Sequence, residues 1–207
     1  MTKTIALLGG CAVFLLLTGC SSETPAPQAK KAEEKPAEPV TGRQALQQMY
    51  IAGRGWAPDI QPLKMNSILL PELKAEPGKA AAWQVMFVSP SERKGRIYTY
   101  SVVESSGNLH KGVFAGLDQS WSGPSGSTKP FLMASVKVDS SDAYQTALKK
   151  AADYEKKNPG KPITFVLEAN SKFPDTTWRV VWGESVGTSN FSIFVDASTG
   201  QYLETMR

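Results

Sequence analysis

Cysteine is almost missing from this chain. Its 207 residues hold two, Cys11 and Cys20, and none beyond position 20. Disulfide staples, thiolate nucleophiles and cysteine-bound metals are thereby excluded from everything downstream. Histidine occurs once, as His110 in the turn region Asn108–Lys111, so a Ser–His–Asp site would have to use it. No serine stands in a Gly-x-Ser-x-Gly elbow; Gly123-Pro124-Ser125-Gly126-Ser127 has the wrong spacing. One histidine, no thiolate and no dense acidic loop supply neither a zinc nor a calcium constellation. A glycine loop that could cradle phosphates is also lacking. No metal and no cofactor is expected. Paired carboxylates are the one catalytic chemistry left, with Asp118, Glu168 and Glu184 as candidates, although nothing in their spacing makes them converge. Charge of one sign is scarce too: from residue 41 onward the chain is near +4 and its basic residues are scattered.

What is present begins at the amino terminus. Lys3 gives a positive start, and Ile5–Leu17 is almost unbroken apolar sequence of about 13 residues, too short to span a bilayer well. Leu16-Leu17-Thr18-Gly19-Cys20 follows. This stretch resembles a bacterial lipoprotein signal peptide with its lipobox; a plain secretory signal or a short anchor are the alternatives. The resemblance implies that residues 1–19 are a leader and that Cys20 becomes the acylated, palmitate-bearing first residue. It also implies an extracytoplasmic address in the cell envelope and a membrane partner reached through the lipid. Nucleic acid is not expected there. Ser21 follows Cys20, which by the same resemblance means the periplasmic side of the outer membrane in a Gram-negative host. In a Gram-positive host it means the outer face of the plasma membrane.

Residues 20–40 read as a linker. Ser21–Val40 has no aromatic, four prolines (Pro25, Pro27, Pro36, Pro39) and alternating Lys and Glu. Such a stretch cannot bury enough apolar surface to offset chain entropy. As a flexible coil it holds its ends about 25 Å apart.

The remaining residues, 41–207, are enough to bury roughly 70% of their unfolded surface without a staple. A helix is predicted over Ser141–Asn158, with Tyr144, Ala147, Leu148, Ala151 and Tyr154 at helical spacing. Ser140 or Ser141 is its expected cap, Asp142 sits in its first turn, Lys156-Lys157 in its last, and Asn158-Pro159-Gly160 stops it. Lys149-Lys150 and Lys156-Lys157 read either as a solvated face or as a weak attraction for anionic lipid headgroups. Strands follow at Ile163–Leu167, Thr177–Trp182, Phe191–Val195 and Gln201–Glu204, alternating with period two. The first half reads alike: a helix over Arg43–Ala52, a strand near Leu63–Leu69, then Trp83–Phe87 and Arg96–Val103. Trp83, Trp178 and Trp182 are expected in the core, and Trp56 in the core or at its rim.

The halves match in order. Trp83-Gln-Val-Met-Phe87 and Ile97–Gly107 parallel Trp178-Arg-Val-Val-Trp182 and Phe191–Gly200, with Glu104 in the place of Asp196. The fold class expected is α+β: two tandem units, 41–125 and 126–207, each a helix packed on a three- to four-stranded antiparallel sheet. Val136–Ala143, Trp178–Trp182 and Val195-Asp-Ala-Ser-Thr-Gly200 together resemble a PepSY-type domain over about residues 130–207, and more weakly over 42–112. That resemblance implies an extracytoplasmic module that binds or restrains partners, a peptidase among them, and brings no catalytic residues.

The segment Gly112–Pro130 is glycine- and serine-rich and reads as a long loop. Its Phe114 and Trp121 are candidate contact residues, because an aromatic on a loop brings large area at small entropic cost; the alternative is a linker whose Trp121 covers the sheet. The function expected is a non-catalytic binding or inhibitory module for an envelope protein or cell-wall component. A lipid or small-molecule carrier with a cavity between helix and sheet is the alternative, and an acidic-site hydrolase a third.

Overall fold

A computed structural model of the chain describes residues 37–73, 76–107, 109–124 and 128–207. The expected leader, Cys20 and the linker up to residue 36 lie outside the described residues. A short strand β1 (Val40–Thr41) leads into helix α1 (Gly42–Arg54), followed by β2 (Gln61–Ile68), β3 (Lys79–Ala80), β4 (Ala82–Ser89), β5 (Lys94–Ser101) and β6 (Gly112–Ser120). After one 3₁₀ turn at Met133–Ser135 the pattern restarts: α2 (Ser140–Lys157), β7 (Ile163–Glu168), β8 (Thr177–Trp182), β9 (Ser192–Asp196) and β10 (Tyr202–Met206). β1 and β3 pair with each other, and the other eight strands form one antiparallel sheet in the order β10-β9-β8-β7-β2-β4-β5-β6.

Each half is thus a helix followed by a four-stranded meander. The first strands of the two meanders, β2 and β7, pair with each other in the middle of the sheet, Asn66 opposite Val166. A pseudo-two-fold axis beside that pair exchanges the halves. The physical reason is the edge: a lone meander would leave its first strand with unpaired backbone groups, and joining first strand to first strand removes that edge in both copies at once.

Both helices cover the same face. α1 buries Ala45, Leu46, Met49 and Gly53, and α2 buries the small stripe Ala143, Ala147 and Ala151. The covered face carries Trp83, Val85 and Phe87 from β4, Phe165 and Leu167 from β7, Trp178, Val180 and Trp182 from β8, and Ile193 and Val195 from β9, all buried. Trp83 and Trp178 meet edge to face, ring centroids 6.3 Å apart. Each indole N–H donates to the carbonyl two residues before its own helix: Trp83 Nε1 to Val40 at 3.1 Å, Trp178 Nε1 to Val138 at 3.0 Å. The repeat therefore extends to individual hydrogen bonds. The space between helices and sheet, where a carrier would need its cavity, is filled by these rings.

The two helices start against each other. Asp139, not Ser140 or Ser141, is the N-cap of α2; its Oδ1 accepts from Ser140 N at 2.7 Å. The same carboxylate accepts from Arg43 N of α1 at 3.0 Å and, through Oδ2, from the Thr41 hydroxyl at 2.7 Å. Ser140 instead uses its hydroxyl to accept from Gly42 N at 2.7 Å and to donate to the Gly78 carbonyl at 2.6 Å. One anion thus serves two positive helix ends, which would otherwise repel. Gly42 must be glycine for this approach: a Cβ there would lie 2.5 Å from the Trp178 ring and 3.2 Å from that of Trp83.

Two further expectations are corrected. Gly112–Ser120, read as loop, is the edge strand β6, paired with β5 from Lys94↔Ser120 to Ser101↔Gly112. Its glycines hid the alternation, and a bulge between Arg96 and Tyr98 interrupts the register. The equivalent of Asp196 is Ser101, not Glu104. The ladder sets Val85 against Tyr98 and Val180 against Ile193, and three residues further on stand Ser101 and Asp196. Both side chains close their turns: Asp196 Oδ1 accepts from Ser198 N and Thr199 N at 2.7 Å each, while the Ser101 hydroxyl donates to the Val103 carbonyl at 2.6 Å.

Asp139→Ala should lower unfolding free energy by about 2–3 kcal/mol, since it removes a cap and leaves the Arg43 amide of α1 without its anion, whereas Thr41→Ala should cost about 1 kcal/mol. Gly42→Ala should destabilise by about 1–3 kcal/mol through overpacking, although alanine is the better helix former. Urea denaturation followed by tryptophan fluorescence measures all three.

Candidate functional site

Alternation puts the other half of each strand on the face that the helices leave free. Met65 and Leu167 are paired under the helices, so their neighbours Lys64 and Glu168, also paired, point the opposite way. A row crosses this free face from edge to edge: Glu204, Phe194, Arg179, Val166, Asn66, Gln84, Thr99, Phe114. Its flanking charges are satisfied locally. Lys64 Nζ lies 3.0 Å from Glu168, and Lys172 Nζ lies 2.6 Å from Glu204. Arg179 donates through Nε to the Ser192 hydroxyl at 2.9 Å and lies 5.1 Å from the Phe194 ring; burial pulls its pKa down.

The middle of the row is uncharged and forms the floor of a trough. The chain after β2, Ile68–Leu73, lines a groove of about 650 Å³ with Asn66, Pro162 and Glu184. Ile68–Glu72 also line a groove of about 360 Å³ with Gln84, Thr99 and the loop Ser105–Gly107. On the other side, Asn66 and Ser67 share a groove of about 260 Å³ with Thr164 and the loop Glu184–Gly187. The walls are apolar (Leu69, Leu70, Pro71, Leu73, Pro162) and the floor offers amides and hydroxyls. The Ser105 hydroxyl, donating to Glu72, fixes one wall to the next loop and holds the Glu72 carboxyl below its ordinary range. Among the described residues, Thr99 Oγ1 is the one buried side-chain oxygen or nitrogen without a hydrogen-bond partner.

Of the contact residues expected from sequence, Phe114 stands at this face and Trp121 is elsewhere. Phe114 is 43% exposed, sits opposite Thr99 and packs against the His110 ring at 4.6 Å. Trp121 lies roughly 20 Å further along, half-buried, its backbone N–H donating to the Arg93 carbonyl at 2.9 Å. Cys20 lies outside the described residues. Sequence reasoning missed Gln84, Thr99 and the Leu69–Leu73 wall; the alternation of polar residues along β4 and β5 was the available signal.

The acidic candidates do not converge. Asp118 is on β6 and faces the helix side with Arg96, whereas Glu168 is on β7 and faces away; four strand spacings, about 19 Å, separate the two strands. Glu184 lines the trough and Glu168 is held by Lys64. His110 Nδ1 lies 3.3 Å from Glu104 and its ring lies against Phe114. Among the described residues no three His, Cys, Asp or Glu side chains are grouped so as to hold a metal ion. A separate cleft of about 540 Å³ has Asp175 and Asp196 in its lining, but Asp196 is engaged by its own turn.

At the far edge Arg96 donates through Nε to Asp118 at 2.7 Å and lies over the Trp56 ring at 4.9 Å. Arg96 holds the Asp118 carboxyl below the usual carboxylate range, with Lys94 adding to the effect. A depressed folded-state pKa contributes stability above the ordinary value of about 4, and that contribution is lost as pH falls through the folded value. Asp118→Asn should therefore unfold at slightly lower urea than wild type at pH 7, with the difference vanishing in acid. Thr99→Val should leave the urea midpoint unchanged or raise it, because the hydroxyl it removes is buried without a partner.

No protein-family model and no curated protein matches the chain. Among solved structures it is similar to the crystal structure of a putative lipoprotein from Clostridium difficile 630, at 10% identity and a TM-score of 0.48, over 78% of this chain and 91% of that one. At that identity and score the likeness assigns neither family nor function.

Proposed function

We propose that this chain is a lipid-anchored envelope protein that acts by binding. The lipobox-like run Leu16–Cys20 supports an anchor at Cys20, and Ser21 supports the periplasmic face of the outer membrane in a Gram-negative host. No helix among the described residues is long and apolar enough to cross a membrane. The helix-plus-meander repeat accords with a PepSY-like module that restrains an envelope partner, a peptidase being one such partner.

The observation that carries the binding reading is the trough. Its floor presents Asn66 and Gln84 with the unpartnered Thr99 hydroxyl buried beneath them, its walls are leucine and proline, Lys64 is paired with Glu168, and Glu72 and Glu184 at its walls are in no ion pair among the described residues. That chemistry suits an extended polypeptide segment, whose backbone needs donors and acceptors and whose side chains need apolar walls. Among the described residues, Asp118 stands four strands from Glu168, so the three candidate acids share no site there. A second reading has one feature in its favour. The 650 Å³ groove has the volume of a small-ligand site, so an apolar ligand could occupy it.

Photo-crosslinking tests this. A benzophenone side chain at Gln84 should give a discrete protein adduct in intact envelopes, and the same group at Gln47, on the outer side of α1, should not. Thr99→Val combined with Phe114→Ala should reduce the Gln84 adduct severalfold. Equal adducts at both positions, or none at Gln84, would remove the trough from the account. Ligand retained in native mass spectra without any adduct would favour the carrier reading.

A further inference from the structure

The charges of the molecule are distributed unevenly in their pairing. On the sheet, the cations Lys64, Lys94 and Arg96 each face a carboxylate, as does Lys172 in the loop beside it, while Arg179 donates to the Ser192 hydroxyl. On the two helices, Arg43, Arg54, Lys149, Lys150, Lys156 and Lys157 are exposed, and none is in an ion pair among the described residues. α1 has no acidic residue. Of the three carboxylates on α2, Asp142 sits in the first turn at the positive helix end, Glu155 accepts from the Trp182 indole at 3.0 Å, and the exposed Asp153 stands alone against four lysines, three or four residues from each.

Spacing turns these cations outward together. Ala143, Ala147 and Ala151 are the buried stripe of α2. Lys149 and Lys156 are seven residues, or two turns, apart, as are Lys150 and Lys157, so each pair lies on one side of the helix. On α1, Gln44, Gln47, Gln48 and Ile51 are exposed, and Ile51 is the exposed apolar side chain of this layer, at 62%. The chain also enters the domain here: β1 leads straight into α1. Sixteen residues separate Cys20 from Ala37, the first described residue, a span of at most about 60 Å.

We infer that the helix layer docks on the anionic lipid surface to which Cys20 ties the chain, with lysines at the headgroups and Ile51 at the acyl boundary. The chemistry is that of a two-signal anchor: one covalent lipid and one basic patch, the tether raising the effective concentration of the second. The docked pose leaves the free face of the sheet, with its trough, pointing away from the bilayer. The inference rests on the lipid-anchor reading for its membrane, and its test is built so that the two fail separately.

The chain from residue 20 onward, carrying Cys20→Ser, removes the lipid from the measurement. At about 10 mM salt, where screening is weak, it should cosediment with vesicles of equal parts phosphatidylglycerol and phosphatidylcholine, and not with phosphatidylcholine alone. Lys149→Glu, Lys156→Glu and Lys157→Glu together should weaken that binding at least about tenfold. Arg93→Glu, Lys111→Glu and Lys129→Glu, an equal change of net charge outside the helices, should weaken it far less. Because the chain otherwise lacks cysteine, Ile51→Cys and Phe114→Cys give single sites for an environment-sensitive dye; only the Ile51 site should shift to the blue on anionic vesicles. No binding to anionic vesicles, equal loss in the two triple variants, or a shift at the Phe114 site would overturn the inference. Palmitate labelling of the Cys20 chain is read independently and bears only on the anchor.

Discussion

The arrangement depends on one carboxylate placed between two helix starts. Asp139 accepts hydrogen bonds from the first turn of its own helix and from the first turn of α1. Without it, two positive helix ends would be brought together around buried indoles. With it, the helices begin at a common point and diverge over the two halves of the sheet. Gly42, Ser140 and Gly78 complete the joint, each by size as much as by hydrogen bonding. The tryptophans below are fixed by the same joint, because their N–H groups bond the carbonyls just ahead of each helix.

From that joint follows a division of labour between the faces. Indoles, phenylalanines and branched side chains fill the space under the helices, so no cavity chemistry is left there. The opposite face is only partly covered by loops, and its central residues are polar, uncharged and in one case unsatisfied. The outer side of the helix layer has six exposed cations against two exposed carboxylates, Asp142 and Asp153. Three surfaces of different chemistry therefore stack through the thickness of one small domain: basic, apolar, then neutral and polar.

Much of the architecture was legible in the sequence because it was written in strong periodicities. The alanine stripe of α2, the alternation along β8 and β9, and the shared Trp-x-Val motif of β4 and β8 announced two copies of one unit. What was not legible was set by partners distant in sequence. Ser140 is a standard cap residue by composition, yet Asp139 caps because Ser140 is taken by Gly42 and Gly78, 98 and 62 positions away. β6 was hidden because Gly112 and Gly116 weaken an alternation that pairing with β5 nevertheless enforces. Glu104 was matched to Asp196 by charge, while Ser101 performs the same turn closure with a hydroxyl. For the site, Phe114 stood out by type, but Gln84 and Thr99 are ordinary residues until the sheet sets them side by side across neighbouring strands.

The pairing of β2 with β7 has a temporal side. The amino-terminal copy is complete in sequence long before its first strand has a neighbour on both sides, since the residues that close it lie some hundred positions later. Contacts of such separation slow folding and prolong the exposure of strand edges. A chain made in the amino-to-carboxyl direction carries an open β2 edge and a Trp83 without its Trp178 partner until β7 and β8 arrive. That edge stays open to mispairing with other strands until the second copy locks against the first.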